Sequence, residues 1–325
     1  MFTEILILIT SLILLVWSAD KFVFGAASLA RNLGIAPMII GLTIVAMGSS
    51  APEMVVAATA ALQGAPDTAI GNAIGSNITN IALVLGITAI CKPLVVSSST
   101  LKRELPILLL VTFIASFMLY NLQLSFIEGL VLLIGFIVFI TVLLVVSMRQ
   151  SKEEQALDPM LAESVAEVPQ DVKTSAATLW LLVGMILLPL SANYLVDSAT
   201  VIARQFGVSD LVIGLTIIAI GTSLPELAAS VVSIVKKEDD LALGNIIGSN
   251  IFNILAVLAI PGLLAPGAVD AQVASRDVPF MMAITLLLLI LCFSWRGKFN
   301  IGRTKGVVLF ACFVFYQYLI FSQMA

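Results

Sequence analysis

Glu53 and Glu226 each follow a proline inside an apolar run, in the stretches GSSAPE (Gly48 to Glu53) and GTSLPE (Gly221 to Glu226). Ser49 and Thr222 stand four residues before their glutamates, so on a helix each hydroxyl shares a face with its carboxylate. Pro52 and Pro225 lack the N–H that would bond the carbonyls of Gly48 and Gly221, which opens the helix there and frees carbonyl oxygens. On the following apolar run, Asn72, Ser76 and Asn80 form a stripe at spacing four, mirrored by Asn245, Ser249 and Asn253. These groups offer carboxylate, hydroxyl, amide and carbonyl oxygens, and the chain contains no histidine. Such a donor set suits hard cations, with Ca²⁺ taking about six to eight oxygens in a forgiving geometry. Two glutamates supply a charge of minus two, matched by one Ca²⁺ or by two or three monovalent ions. Mg²⁺ fits less well, because it sheds water reluctantly and demands octahedral geometry.

Each feature also has a purely structural reading. Prolines and hydroxyls in apolar helices are commonly satisfied by neighbouring helices. GNAIG and GNIIG are spacings of small residues that let helices approach closely, and Asn77 and Asn250, off the polar stripe, read as interhelical glue. Packing does not account for an acid recurring deep inside an apolar run beside the same oxygen donors. An intramembrane carboxylate costs about 2.5 to 3.5 kcal/mol on insertion scales and marks a functional site by default.

The elements that must hold these residues are membrane helices. Apolar residues make up 60% of the chain and charged residues 11%, far outside the range of a soluble globular protein. Runs long enough to cross a bilayer, about 20 residues, lie near 4–28, 37–62, 68–90, 105–120, 125–147, 177–198, 211–235, 241–264, 278–295 and 304–322, which predicts ten helices. The start MFTE is acidic and no small-residue cleavage site closes the first run, so that run is expected to stay as a span rather than act as a cleaved signal. Cys91, Cys292 and Cys312 match neither a disulfide framework nor a metal site by spacing. The one long polar stretch, Met148 to Thr174, carries most of the acidic excess and reads as a solvated linker.

An offset of 173 residues aligns positions 34–53 with 207–226 at eleven of twenty identities, and 71–80 with 244–253 at eight of ten. It also pairs Arg31 with Arg204, Arg103 with Arg276, Glu104 with Asp277 and Pro106 with Pro279. The chain therefore reads as a duplicated five-helix unit: residues 1–147, a cytoplasmic linker at 148–174, and residues 175–325. Because five is odd, the second unit must enter the membrane from the opposite side. Placing the N-terminus outside leaves fourteen of the sixteen Lys and Arg residues on the cytoplasmic side, with Arg204 and Arg276 outside. That bias obeys the positive-inside rule. Inverted repeats of this kind build many secondary transporters around a midplane site.

GSSAPE with GNAIGSNITN, and GTSLPE with GNIIGSNIFN, closely resemble the two alpha-repeats of the Ca²⁺/cation antiporter superfamily, in particular the bacterial sodium/calcium exchanger-like inner-membrane proteins. The resemblance spans nearly the whole chain. It implies an all-α membrane fold of about ten helices in two inverted repeats, multi-pass in the bacterial inner membrane with both termini periplasmic. It further implies a site where Na⁺ and Ca²⁺ compete, formed by Ala46, Ser49, Ser50, Glu53, Ser76 and Asn80 with Ala219, Thr222, Ser223, Glu226, Ser249 and Asn253, the alanines acting through their carbonyls. Ser49 stands where the motif commonly has threonine. Asn253 occupies a position that is aspartate in some branches, including the potassium-dependent one, which disfavours K⁺ co-transport. The proton-coupled branch places a glutamate in the region that reads GNAIGSN here, and the linker lacks the calcium-sensing domain of animal relatives.

The expected function is secondary-active exchange of Ca²⁺ for Na⁺, not enzymatic catalysis. No cofactor is implied beyond the transported ions, and no partner beyond the bilayer: neither nucleic acid nor an obligatory protein. Antiport with H⁺ or K⁺ as the coupling ion, or a cation channel using the same carboxylates, stays open at this point.

Overall fold

The computed structural model describes residues 2–96, 100–157, 172–207, 219–292 and 300–324. Nearly all of them are helical. In chain order the helices are α1 (Phe2–Leu33), α2 (Pro37–Ser49 and Ala51–Leu62, bent by 45° between the two arms), α3 (Pro66–Cys91), α4 (Leu105–Leu119), α5 (Phe126–Leu157), α6 (Thr174–Gln205), α7 (Leu224–Val235), α8 (Asp239–Leu264), α9 (Val273–Cys292) and α10 (Arg303–Met324). Among the described residues, seven of these are long and apolar enough to cross a membrane, and the bent α2 makes an eighth. The helices α4 and α7 fall short as described, and part of the run expected before α7, residues 211–218, lies outside the described residues. This is a multi-pass membrane protein.

Burial sorts the helices into two classes. The apolar windows of α3 and α8 are 78% and 89% buried, against 17 to 39% for α1, α5, α6, α9 and α10. The inner pair therefore carries the core, and the outer helices turn side chains such as Phe113, Phe117, Ile127, Ile186 and Phe315 outward. In a soluble protein such a surface would aggregate; in hydrocarbon it is the satisfied state.

The duplication is visible in the backbone. Wide π-helical turns occur at Asn80–Val84 in α3 and Asn253–Val257 in α8, and again at Thr100–Glu104 before α4 and Val273–Asp277 in α9. Both pairs are separated by the same 173 residues. Two short antiparallel pairings tie each half to the other: β1 (Leu94–Val95) with β4 (Asn300–Ile301), and β2 (Gln123–Leu124) with β3 (Gly267–Ala268). Similarly, Gly129 of α5 packs on Gly262 of α8, while Gly306 of α10 packs on Gly86 and Ala89 of α3. Each half's last helix thus crosses onto the other half.

The corresponding helices α1 and α6 pack antiparallel. A Cβ on Gly25 would lie 2.7 Å from the carbonyl oxygen of Ala177, one on Gly184 would meet the backbone of Phe22, and Asn32 Nδ2 donates to the carbonyl of Val172 at 2.9 Å. Backbone contact this close requires glycine on one side of each crossing. Both helices run farther than their apolar runs suggest, 32 residues each, because each covers part of the other. The helix α5 also continues past Ser147 to Leu157, so the first ten residues of the polar stretch are helical.

Three ion pairs join the corner between α7 and α8 to the first half. Arg31 meets Glu238 at 2.9 Å, Lys92 meets Asp239 at 3.1 Å, and Lys236 meets Asp20 at 2.7 Å. At the corresponding places of the other corner stand Arg204 and Ala65, Ala265 and Pro66, Gln63 and Asn193. None of those three combinations can form an ion pair, so these three links are not repeated at the other corner.

Candidate ion site

The two glutamates sit at equivalent breaks. The helix α2 opens at Ser50 (φ −88, ψ 7) and resumes at Ala51 with Pro52 in its first turn; the chain before α7 opens at Ser223 (φ −94, ψ 5) and resumes with Pro225 in the first turn. Glu53 and Glu226 fall in the first turn of the resumed helix, where carboxylates are favoured by the helix dipole. Both are fully buried.

The site is built across the repeats rather than within each. Ser50 Oγ donates to Glu226 Oε1 at 3.2 Å. Ser49 Oγ donates to Asn245 Oδ1 at 3.0 Å and lies 3.4 Å from Ser249 Oγ. Asn245 Nδ2 in turn reaches the backbone carbonyl of Glu226 at 3.4 Å and Ser230 Oγ at 3.1 Å, and its counterpart Asn72 Nδ2 reaches the carbonyl of Glu53 at 3.2 Å. These two asparagines bracket the glutamates' backbone from the neighbouring helix. The polar stripe marked them in sequence, but no role distinguished them from their neighbours.

Several buried polar atoms have no hydrogen-bond partner: both carboxylate oxygens of Glu53, Oε2 of Glu226, both amide atoms of Asn80 and of Asn253, and Oγ of Ser223. Leaving one such group unmade costs about 1 to 3 kcal/mol, more when it is charged. A concentration of them on residues drawn from both repeats is the pattern of a binding site rather than of a packed core. Asn80 and Asn253 each open a π-helical turn, the local widening common at functional positions.

Of the remaining expected donors, Ser76 and Thr222 line a cavity of about 260 Å³ together with Asn72 and Gly75. The carbonyl of Ala46 accepts the Ser50 N–H at 2.9 Å and the Ser49 hydroxyl at 3.3 Å. Ala219 begins the helical turn Ala219–Gly221, two residues before the break. The stripe neighbours differ from expectation in one respect. Asn77 does bridge helices, donating to Met281 Sδ of α9 at 3.7 Å, whereas Asn250 bonds the Ile246 carbonyl of its own helix at 2.7 Å. Among the described residues no group of three or more His, Cys, Asp or Glu side chains could hold a metal ion. The charge at the site comes from Glu53 and Glu226, with neutral oxygens around them.

Backbone contact closes one side of the site. On the α8 side, a Cβ on Gly244 would lie 2.6 Å from the Met38 carbonyl oxygen, and one on Gly248 would lie 2.7 Å from Leu42 Cα and 2.8 Å from Ala46 Cβ. The site is therefore sealed along α8; the matching glycines of α3, Gly71 and Gly75, line the cavity, and the segment 211–218 that repeats 38–45 lies outside the described residues. Two acidic residues that sequence placed near helix ends also prove buried: Glu104 and Asp277 are 2% and 6% exposed, each paired with its neighbouring arginine.

Known proteins share this architecture. The sequence profile described as "Sodium/calcium exchanger protein" matches residues 3–145 and 176–322. The inner membrane protein YrbG of Escherichia coli is 44% identical over 315 residues, covering 97% of this chain and 96% of that protein. The sodium/calcium exchanger MaX1 of Methanosarcina acetivorans is 31% identical, covering 97% and 98%. A solved structure of the sodium-calcium exchanger NCX_Mj, soaked with zero Na⁺ and Ca²⁺, superposes with a TM-score of 0.81 at 32% identity, over 96% of this chain and 97% of that one. With its glutamates at paired helix breaks and its profile matched in both halves, the chain belongs to the sodium/calcium exchanger family of membrane antiporters.

Proposed function

We propose that the protein exchanges Ca²⁺ for Na⁺ across the bacterial inner membrane by alternating access, with both ions using the Glu53 and Glu226 carboxylates in turn. The observation that carries this reading is the set of three fully buried carboxylate oxygens without a partner, ringed by hydroxyl and amide oxygens of both repeats. The ligands would come from Ser49, Ser50, Glu53, Ser76 and Asn80, from Thr222, Ser223, Glu226, Ser249 and Asn253, and from the carbonyls of Ala46 and Ala219. Exchange rather than leak follows from electrostatics. Without a cation, two carboxylates would be left uncompensated in low dielectric, and that cost impedes rearrangement between inward and outward access. Ion-loaded forms cross; the unloaded form stalls.

The architecture we assign is ten spans in two inverted five-helix units, 1–147 and 175–325, joined by a cytoplasmic linker at 148–174, with both termini periplasmic. Antiparallel packing of the corresponding helices α1 and α6 supports inversion, as does the charge bias of the loops. The names of the relatives YrbG and MaX1 agree with the membrane and the ions.

The test is Ca²⁺ flux in proteoliposomes with Na⁺, K⁺ and pH gradients imposed one at a time. A Na⁺ gradient alone should drive Ca²⁺ uptake. Uptake driven only by K⁺ or by a pH gradient would assign a different coupling ion, and uptake with no counter-ion would make the protein a channel.

A further inference from the structure

The hydroxyl of Ser49, an expected ion ligand, carries one proton and two lone pairs. A cation takes the lone pairs, so the proton must be held elsewhere. Two acceptors lie within reach: Oδ1 of Asn245 at 3.0 Å, and the carbonyl of Ala46, one turn back on the same helix, at 3.3 Å. The second is a poor place for it. The Ala46 carbonyl already accepts the Ser50 N–H at 2.9 Å, and a further proton would occupy the lone pair by which that carbonyl is expected to hold an ion. Donation to Asn245 keeps both ligands open.

Asn245 serves in this way only with its amide oxygen facing Ser49, and its other side fixes that orientation. Nδ2 donates to Ser230 Oγ at 3.1 Å and to the backbone carbonyl of Glu226 at 3.4 Å. Turned over, the amide would set Oδ1 against that carbonyl oxygen, acceptor against acceptor. Ser49, Asn245, Ser230 and Glu226 are all buried, so bulk water does not replace a missing partner.

We infer that Asn245 is a positioning residue of the ion site: anchored on α7 through the Glu226 carbonyl and Ser230, it takes the Ser49 proton across the boundary between the repeats and keeps both the Ser49 oxygen and the Ala46 carbonyl open to the cation. This rests on the cation-exchange reading above and adds a residue that itself touches no ion. It dictates an order of effects. Ser49→Ala removes one ligand and weakens cation affinity about tenfold, the scale of one neutral hydrogen-bond-sized interaction. Asn245→Ala turns the Ser49 proton onto Ala46, compromises two ligands, and weakens affinity about thirty- to hundredfold on the same scale. Adding Ser49→Ala to Asn245→Ala removes the misdirected proton, frees the Ala46 carbonyl, and returns affinity to about the level of Ser49→Ala alone. A residue that merely packs the helices gives two losses that accumulate. Ser230→Ala leaves the amide one of its two anchors, so it shifts affinity the same way by about threefold, and not at all where residue 49 is already alanine.

The experiment is calorimetric titration of the detergent-purified protein with Ca²⁺, with Na⁺ affinity read by competition, for wild type, the three single variants, and Asn245→Ala and Ser230→Ala each combined with Ser49→Ala. Size-exclusion chromatography first shows each to be monodisperse; should Asn245→Ala fail to fold, the two Ser230→Ala proteins decide. Wild-type flux in proteoliposomes tests the exchange reading by itself, and if another cation pair is exchanged, the same order is read with that pair. Recovery of affinity when Ser49→Ala is added to Asn245→Ala, and silence of Ser230→Ala in the Ser49→Ala background, sustain the inference. An Asn245→Ala variant with wild-type affinity, a double variant no tighter than Asn245→Ala, or a Ser230→Ala shift that persists without the Ser49 hydroxyl would overturn it and leave Asn245 a packing element.

Discussion

Gly248 faces α2 with its backbone, and the structure leaves no room there for a side chain. Adding a methyl at Gly248 places a carbon 2.7 Å from Leu42 Cα and 2.8 Å from both Ala46 Cβ and the Leu42 carbonyl oxygen. Ordinary carbon contacts begin near 3.5 Å, so α8 must retreat from α2 by roughly 0.7 Å. Overpacking of that kind costs about 1 to 3 kcal/mol. Contacts this close to backbone put the cost at the upper end, about 3 kcal/mol, and the helix preference of alanine over glycine returns up to about 1 kcal/mol of it. Gly248→Ala should therefore melt about 4 to 8 °C below wild type in the same detergent, taking the remaining ~2 kcal/mol at about 2 to 4 °C per kcal/mol. Intrinsic tryptophan fluorescence during a temperature ramp reads this directly. The displacement should also stretch the Ser49 contacts to Asn245 and Ser249, now 3.0 and 3.4 Å, and depress exchange by Gly248→Ala. A melting point within about 1 °C of wild type would refute the claim that this face of α8 is sealed by backbone contact.

Three further outcomes are expected. Glu53→Gln or Glu226→Gln should reduce Na⁺-driven Ca²⁺ flux to the liposome background while the protein still inserts, since the amide keeps shape but halves the charge that balances Ca²⁺; near-normal flux by either would remove that residue from the ion site. Reporter fusions at Glu154 and after Ala325 should read cytoplasm and periplasm respectively, and a cytoplasmic C-terminus would break the inverted-repeat assignment. Wild-type flux should be indifferent to replacing K⁺ by choline, whereas Asn253→Asp, which adds a third buried carboxylate, should gain a K⁺ dependence; a wild type that needs K⁺, or a variant indistinguishable from it, would place Asn253 away from the ions.

Much of the site was legible because the chain was duplicated. One acid beside one proline in an apolar run is ambiguous, but Glu53 and Glu226 recur with their hydroxyls and asparagine stripes at constant offset, and the structure brings Ser49, Ser50, Glu226 and Ser249 into contact across the halves. Local sequence could not show that Asn72 and Asn245 would bond the glutamates' own carbonyls, since that depends on how far each neighbouring helix is rotated. The π-helical turns at Asn80 and Asn253 were equally hidden, because the residues in them are ordinary helix formers. Burial of Glu104 and Asp277 went unseen for a related reason: a charge near a helix end normally reaches water, and here each is covered by its own arginine and by packing from distant helices. Helix ends also shifted. The first apolar run stops short of Arg31 and Asn32, whereas α1 runs on to Leu33 under the cover of α6.

The three ion pairs at the corner of α7 and α8 give the duplicated molecule a handedness in energy that its motifs lack. Under the alternating reading, one corner must part whenever the other closes. Arg31–Glu238, Lys92–Asp239 and Lys236–Asp20 resist parting on their side, and Ala65, Pro66 and Ala265 cannot repeat those links on the other. Each pair is partly solvated and contributes no more than about 1 kcal/mol, so together they add up to about two powers of ten to a two-state balance. Under the alternating reading, that contribution favours the orientation in which this corner is closed, and the forward and reverse half-cycles would draw on it unequally.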